Sequence, residues 1–115
     1  MTQCTLAVLE AGEHDLFLAY HGEYDDTLHA TSPFDQRAIQ AARKHIAAFV
    51  ELAQAAVRGW QRYNRTLLWA PDHGVHTDPV TGREDHGEDS AEDMEVVHFY
   101  GFYKSKAYDS GSFLR

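Results

Sequence analysis

Three polar clusters have the types and spacing to hold metal. They are Asp25, Asp26 and His29, the adjacent Asp72 and His73, and His86 further along. Ionised carboxylate and neutral imidazole are both available at neutral pH. A mixed set of the two suits a borderline or hard divalent cation such as zinc or manganese. Two such ions held close together can clamp a phosphate or sulfate ester and stabilise its attacking and leaving oxygens. Eight histidines in 115 residues make that chemistry worth testing. His76 reads as a neighbour of the ligands, His21 as an outer partner at a strand end, His14 and His45 as surface residues, and His98 as a packed strand residue.

Regular elements must bring these clusters together. Residues 3–11 read as the end of a helix stopped by Gly12. The apolar and aromatic run from Asp15 to Tyr20 reads as a strand covered on both faces, ending at His21-Gly22 before a polar loop, EYDDTLHAT. Ser32-Pro33-Phe34-Asp35 reads as a helix start, with Ser32 as cap and Pro33 in the first turn. Ile39, Ala42, Ile46, Phe49, Val50, Ala53, Val57 and Trp60 then form one apolar stripe along a helix of about 28 residues. Arg62 and Arg65 suit its negative pole, and Asn64 a left-handed cap. Thr66 to Ala70 is a second strand and Glu95 to Tyr100 a third, separated by a long polar connection over 71–94. The tail from Gly101 carries no clear pattern.

Strand, long helix and strand make one βαβ unit, which implies a parallel pair with a right-handed crossover. The expected fold is therefore α/β of the three-layer type, with a mainly parallel sheet, in a single domain spanning 1–115. Ligands in such sheets bind beyond the carboxyl ends of the strands. Asp25, Asp26 and His29 fall there after the first strand, Asp72 and His73 after the second, and His86 before the third. The seven carboxylates from Glu84 to Glu95 read as a solvated loop, or more weakly as an offset to two metal charges. Trp60 and Trp69 lie in regular apolar patterns and read as core.

Composition excludes some partners. The formal net charge is -8 and the sequence pI about 5.3, so the basic footprint of a nucleic-acid or anionic-membrane partner is missing. Cys4 is the single cysteine, which forbids an intramolecular disulfide and fits a reducing compartment. The N-terminal stretch has no basic region followed by an apolar core, and no apolar run approaches the roughly 20 residues of a membrane span. A cytoplasmic location is the expectation.

Asp25-x-x-x-His29, a long helix, a strand ending in Asp72-His73-Gly74 and a downstream His86 together resemble the alkaline phosphatase superfamily. Asp72-His73-Gly74-x-x-x-Asp78-Pro79, followed by Gly82 and Asp85-His86, is most similar to its phosphopentomutase and cofactor-independent phosphoglycerate mutase branch. The likeness runs from about residue 3 to residue 103. It implies two divalent ions, zinc or manganese, with Asp25, His29 and His86 on one, and Asp72 and His73 on the other. Asp25 fits the family spacing better than Asp26. Relatives often carry Gly before the first metal-binding His, where this chain has Leu28. The family completes the second metal with another Asp and with a Ser or Thr nucleophile, and neither has a counterpart here. The chain thus resembles the C-terminal half of such an enzyme. The function implied is that of a metal-dependent phosphoric-ester hydrolase or phosphomutase-type protein acting on a small phosphate ester, its nucleophile supplied elsewhere. The alternative is a non-catalytic metal-binding or interaction fragment. A third, purely structural reading is an α/β fragment that self-associates, because one long helix and one short one leave three strands incompletely covered. The resemblance implies association with the missing N-terminal half.

Overall fold

The computed structural model describes residues 2–106; the remainder of the patternless tail lies outside the described residues. The elements, in order, are α1 (Thr2–Ala11), α2 (Glu23–Ala30), α3 (Gln36–Gly59), β1 (Arg65–Trp69), β2 (His76–Thr77), β3 (Glu84–Asp85), α4 (Ala91–Met94) and β4 (Phe99–Tyr103). The chain divides into two compact units. One comprises Met1–Ala19, Phe49–Trp69 and Phe99–Arg115, and the other Tyr20–Ala48 and Ala70–His98.

The first unit is built on apolar burial. Leu9, Leu52, Ala55 and Ala56 form its core, with Leu6, Phe17, Trp60 and Leu67 packed against them. Gly12 ends α1 at φ +66, a conformation that costs glycine little and L side chains much. The indole nitrogen of Trp60 donates to the Leu9 carbonyl at 3.3 Å, and the Phe49 ring meets Trp69 edge-on. Arg65 is buried. Its guanidinium donates to the carbonyls of Tyr63, Val57 and Lys104 at 3.0–3.2 Å and lies over the Tyr103 ring. The bond to Val57 places a cation on the last turn of α3, where the helix dipole is negative. Asn64 is not a left-handed cap, since no non-glycine described residue has positive φ; its side-chain oxygen accepts from the Ser105 amide at 2.9 Å instead.

The expected parallel three-layer sheet is not formed. β1 pairs antiparallel with β4, Arg65 opposite Tyr103 and Trp69 opposite Phe99, and β2 pairs antiparallel with β3. Among the described residues these are the two sheets, each of two strands. The run from Asp15 to Tyr20 joins neither. Its Leu16 and Leu18 are 86% and 90% exposed, and only Phe17 turns to the core. Without that strand there is no βαβ unit, and the mainly parallel α/β reading falls. An unbroken apolar run reports hydrophobicity but names no pairing partner, which is why the pattern misled. The third strand also starts later than expected, at Phe99, leaving His98 just outside it and exposed, its Nε2 donating to the Pro71 carbonyl at 3.1 Å.

In the second unit the expected polar loop after His21 is the helix α2. Glu23, Asp25 and Asp26 occupy its first turn, where the helix dipole is positive, and His29 lies in its last. Leu28 is its buried anchor. α3 begins at Gln36 rather than Pro33. Asp35 caps it, its Oδ1 accepting from the Arg37 amide at 2.8 Å and its carbonyl from the Ile39 amide at 3.1 Å. Ser32 and Pro33 instead make the preceding turn, closed by the Asp35 amide on the Ser32 carbonyl. The Arg37 guanidinium beside Asp35 holds that carboxyl down at about 2. Ala38 and Ala41 are the buried apolar residues of this part of α3.

Candidate metal centre

The i, i+4 spacing of Asp25 and His29 acquires its meaning from α2. On a helix the two side chains stand one turn apart on one face, and His29 Nε2 lies 3.7 Å from Asp25 Oδ2. The other ligands come from the hairpin in the long polar connection. Asp78-Pro79-Val80-Thr81-Gly82 is its turn. Asp78 Oδ1 accepts from the Val80 and Thr81 amides at 2.7 and 2.6 Å, and those bonds hold its carboxyl below the ordinary range. Gly82 takes φ +69. β3 then begins with Glu84, and because side chains two apart share a face in an extended chain, Glu84 and His86 emerge together.

These four residues converge. One ligand atom from each of Asp25, His29, Glu84 and His86 lies within 4.8 Å of all the others. His86 Nε2 is 3.1 Å from His29 Nε2 and 3.6 Å from Asp25 Oδ1, and His29 Nδ1 is 3.1 Å from Glu84 Oε2. The Glu84 side chain is 0% exposed, and neither of its oxygens has a hydrogen-bond partner; Asp25 Oδ1 is likewise buried and without one. Burial pushes the Glu84 carboxyl above its ordinary range, against the pull of the two imidazoles. A buried carboxylate with no bonded partner is costly. A divalent ion would satisfy it. Two nitrogens each about 2.0–2.1 Å from one tetrahedral zinc ion lie roughly 3.3–3.4 Å apart; at 3.1 Å the two imidazoles are slightly closer, at hydrogen-bond distance from each other. Donor types and orphaned oxygens fit one divalent cation.

Of the five ligands expected from sequence, Asp25, His29 and His86 are brought together. Asp26 is exposed on α2 and outside the cluster, so Asp25 is the residue the structure places there. His73 stands at the edge. Its ring stacks on His86 at 3.9 Å between centroids, and its Nε2 lies 3.9 Å from Asp25 Oδ1. Its Nδ1 donates to the Gly74 carbonyl at 2.8 Å, which raises its pKa and leaves Nε2 facing the cluster. Asp72 stands apart with its side chain 69% exposed, 3.9 Å from His73. Among the described residues no second group of three or more metal-binding side chains gathers around Asp72 and His73.

Glu84 was missed because it opens an acidic run that reads as solvated. Glu84 and Asp93, both in that run, are in fact buried. A signal was available: the Asp-Pro-x-x-Gly turn marks a hairpin, and strand period then pairs Glu84 with His86. His45, expected at the surface, is buried, its Nε2 without a hydrogen-bond partner and its ring edge-on to His21. Burial lowers its pKa.

Compared with models of known protein families, with curated proteins and with solved structures, the chain matches none.

Proposed function

We propose that this chain binds one divalent metal ion through Asp25, His29, Glu84 and His86, with His73 at the rim, and that the bound ion serves phosphoric-ester chemistry. The observation that carries the metal reading is the buried Glu84 carboxylate, without a hydrogen-bond partner and gathered with Asp25, His29 and His86 so that one ligand atom of each lies within 4.8 Å of the others. The motif order Asp25-x-x-x-His29, Asp72-His73-Gly74, His86 and its likeness to alkaline phosphatase superfamily motifs support the phosphate-ester part. Such an ion, when bound, polarises phosphoryl oxygens as a Lewis acid. The chain's own residues hold it, and His73 presents a ring nitrogen beside it. We propose no nucleophile within the chain.

A second reading has an observation in its favour. Four protein donors converge on one point, the number that closes a structural zinc site, whereas a catalytic site keeps a position open. The chain would then hold metal without turning over an ester.

Titration of inorganic phosphate into the zinc- or manganese-loaded chain separates the two. Metal-dependent phosphate uptake, absent after chelation, is expected for ester chemistry. A loaded chain that takes no phosphate sinks that part and leaves the closed site.

A further inference from the structure

Asp93 lies on α4, away from the four proposed ligands in sequence, and is buried to 2% exposure. A buried carboxylate in an acidic stretch needs a reason, and its bonds supply one. Oδ1 accepts from His76 Nδ1 at 2.9 Å, on β2. Oδ2 accepts from the Glu88 amide at 2.9 Å, two residues after His86. The backbone carbonyl accepts from the Gly74 amide at 2.7 Å, directly after His73. Ser90 Oγ receives the Asp93 amide and fixes the short helix that carries it. One residue thus ties the segment behind His73, the strand facing β3, and the segment behind His86.

The close approach at Gly74 belongs to the same knot. A Cβ there would run into the carbonyl of Glu92, so the third residue of Asp72-His73-Gly74 is glycine because α4 lies against it. His76 and Asp85 are opposite each other in the β2–β3 ladder, as are Thr77 and Glu84. Residues opposite in an antiparallel pair share a face, so His76 points to the face away from Glu84. It reaches Asp93 rather than the metal cluster.

We propose that Asp93, with His76, is the positioning residue of the metal centre: it touches no ion but sets where His86 and His73 stand. The proposal rests on the metal-binding reading above. Partners of this kind, outside the ligands, commonly change metal affinity about tenfold to a hundredfold when removed.

The test compares zinc affinity and the visible spectrum of the cobalt-loaded chain across four proteins: wild type, Asp93→Asn, His76→Gln and Leu52→Ala. Leu52 is in the core of the other unit and serves as a control for lost stability. Asp93→Asn keeps one oxygen acceptor, and His76→Gln leaves both backbone bonds to Asp93 intact, so the latter carries the test if the former does not fold. Expected is a roughly tenfold or greater rise in zinc Kd for Asp93→Asn, a smaller rise for His76→Gln, and an altered cobalt spectrum in both. Leu52→Ala should lower the melting temperature with Kd and spectrum unchanged. Folded variants with wild-type Kd and spectrum overturn the positioning role. So does a Leu52→Ala chain that loses affinity equally. A wild-type chain that binds neither metal overturns the metal reading itself, a separate outcome.

Discussion

The two units of this molecule bury different things. The unit containing α1, β1 and β4 buries leucine and alanine, and its buried Arg65 reaches three backbone carbonyls. The unit containing α2 and the β2–β3 hairpin buries two carboxylates and a histidine around a thin apolar core of Leu28, Ala38 and Ala41. Within it the carboxylates differ again. Asp93 is bonded at both oxygens; burial works to raise its pKa, and the His76 and Glu88 bonds outweigh this and lower it. Glu84 has no bonded partner and is pushed up. Buried polar groups in folded proteins are almost always satisfied. Glu84, sited among imidazoles and a second carboxylate, is such an exception and is where the proposed cation would bind, whereas Asp93 is satisfied by the protein itself.

The largest effect should come from the contact between Gly74 and α4. Gly74→Ala drives a methyl into backbone, and about 3 kcal/mol of stability should be lost by urea denaturation. Gly59 at the end of α3 has nothing near its Cβ position, so Gly59→Ala should be neutral or stabilise by about 0.5–1 kcal/mol. Equal losses at both glycines would break the contrast.

Next is the apolar core. Leu52→Ala should cost about 2–3 kcal/mol while zinc affinity stays within twofold. A fall in affinity would mean that the two units are not separable in function.

Glu84→Gln sharpens the comparison most, because its sign should depend on metal. Removing a buried carboxylate that has no hydrogen-bond partner should stabilise the metal-free chain by about 1 kcal/mol, and should weaken zinc binding. Thermal melts with and without zinc read both. A variant destabilised in both states would place Glu84 among ordinary structural carboxylates.

The smallest effect is in the pH dependence. Burial lowers the His45 pKa, with His21 and Lys44 adding to this and Glu23 opposing. Below its unfolded value of 6.5 the unfolded chain therefore binds more protons. Stability should be full above that pH and fall as pH drops through the lowered folded pKa. His45→Leu should flatten this decline. His76 runs the other way. Its bond to Asp93 raises its pKa, so its contribution is present below pH 6.5 and lost as pH rises through the folded value.

Much of the local structure was legible. The α3 helix, the Gly12 stop and the β1 run depend on spacing within one segment, and each lies close to where the spacing put it. The face that α3 buries, however, is Ala38, Ala41, His45, Leu52, Ala55 and Ala56 rather than the expected stripe, whose Ile46 and Val50 are exposed. That Asp25, His29 and His86 could share a site was legible from residue type and order, and the structure brings them together. What failed was pairing. Whether the apolar run before Tyr20 finds β1 as a parallel neighbour is decided by residues far away in sequence, and β4 holds that place instead. Glu84 failed for a related reason, since a carboxylate in an acidic run shows its burial only once the hairpin is closed. Asp72, conspicuous beside His73, proved the more exposed of the pair.

The most direct measurement is the zinc stoichiometry of the purified chain, by calorimetric titration with elemental analysis, for wild type, Glu84→Ala and Asp72→Ala. The expected result is one ion per chain in wild type and in Asp72→Ala, and loss of that ion in Glu84→Ala. A wild-type chain without zinc, or an ion that survives Glu84→Ala and is lost in Asp72→Ala, would contradict a centre built on Asp25, His29, Glu84 and His86.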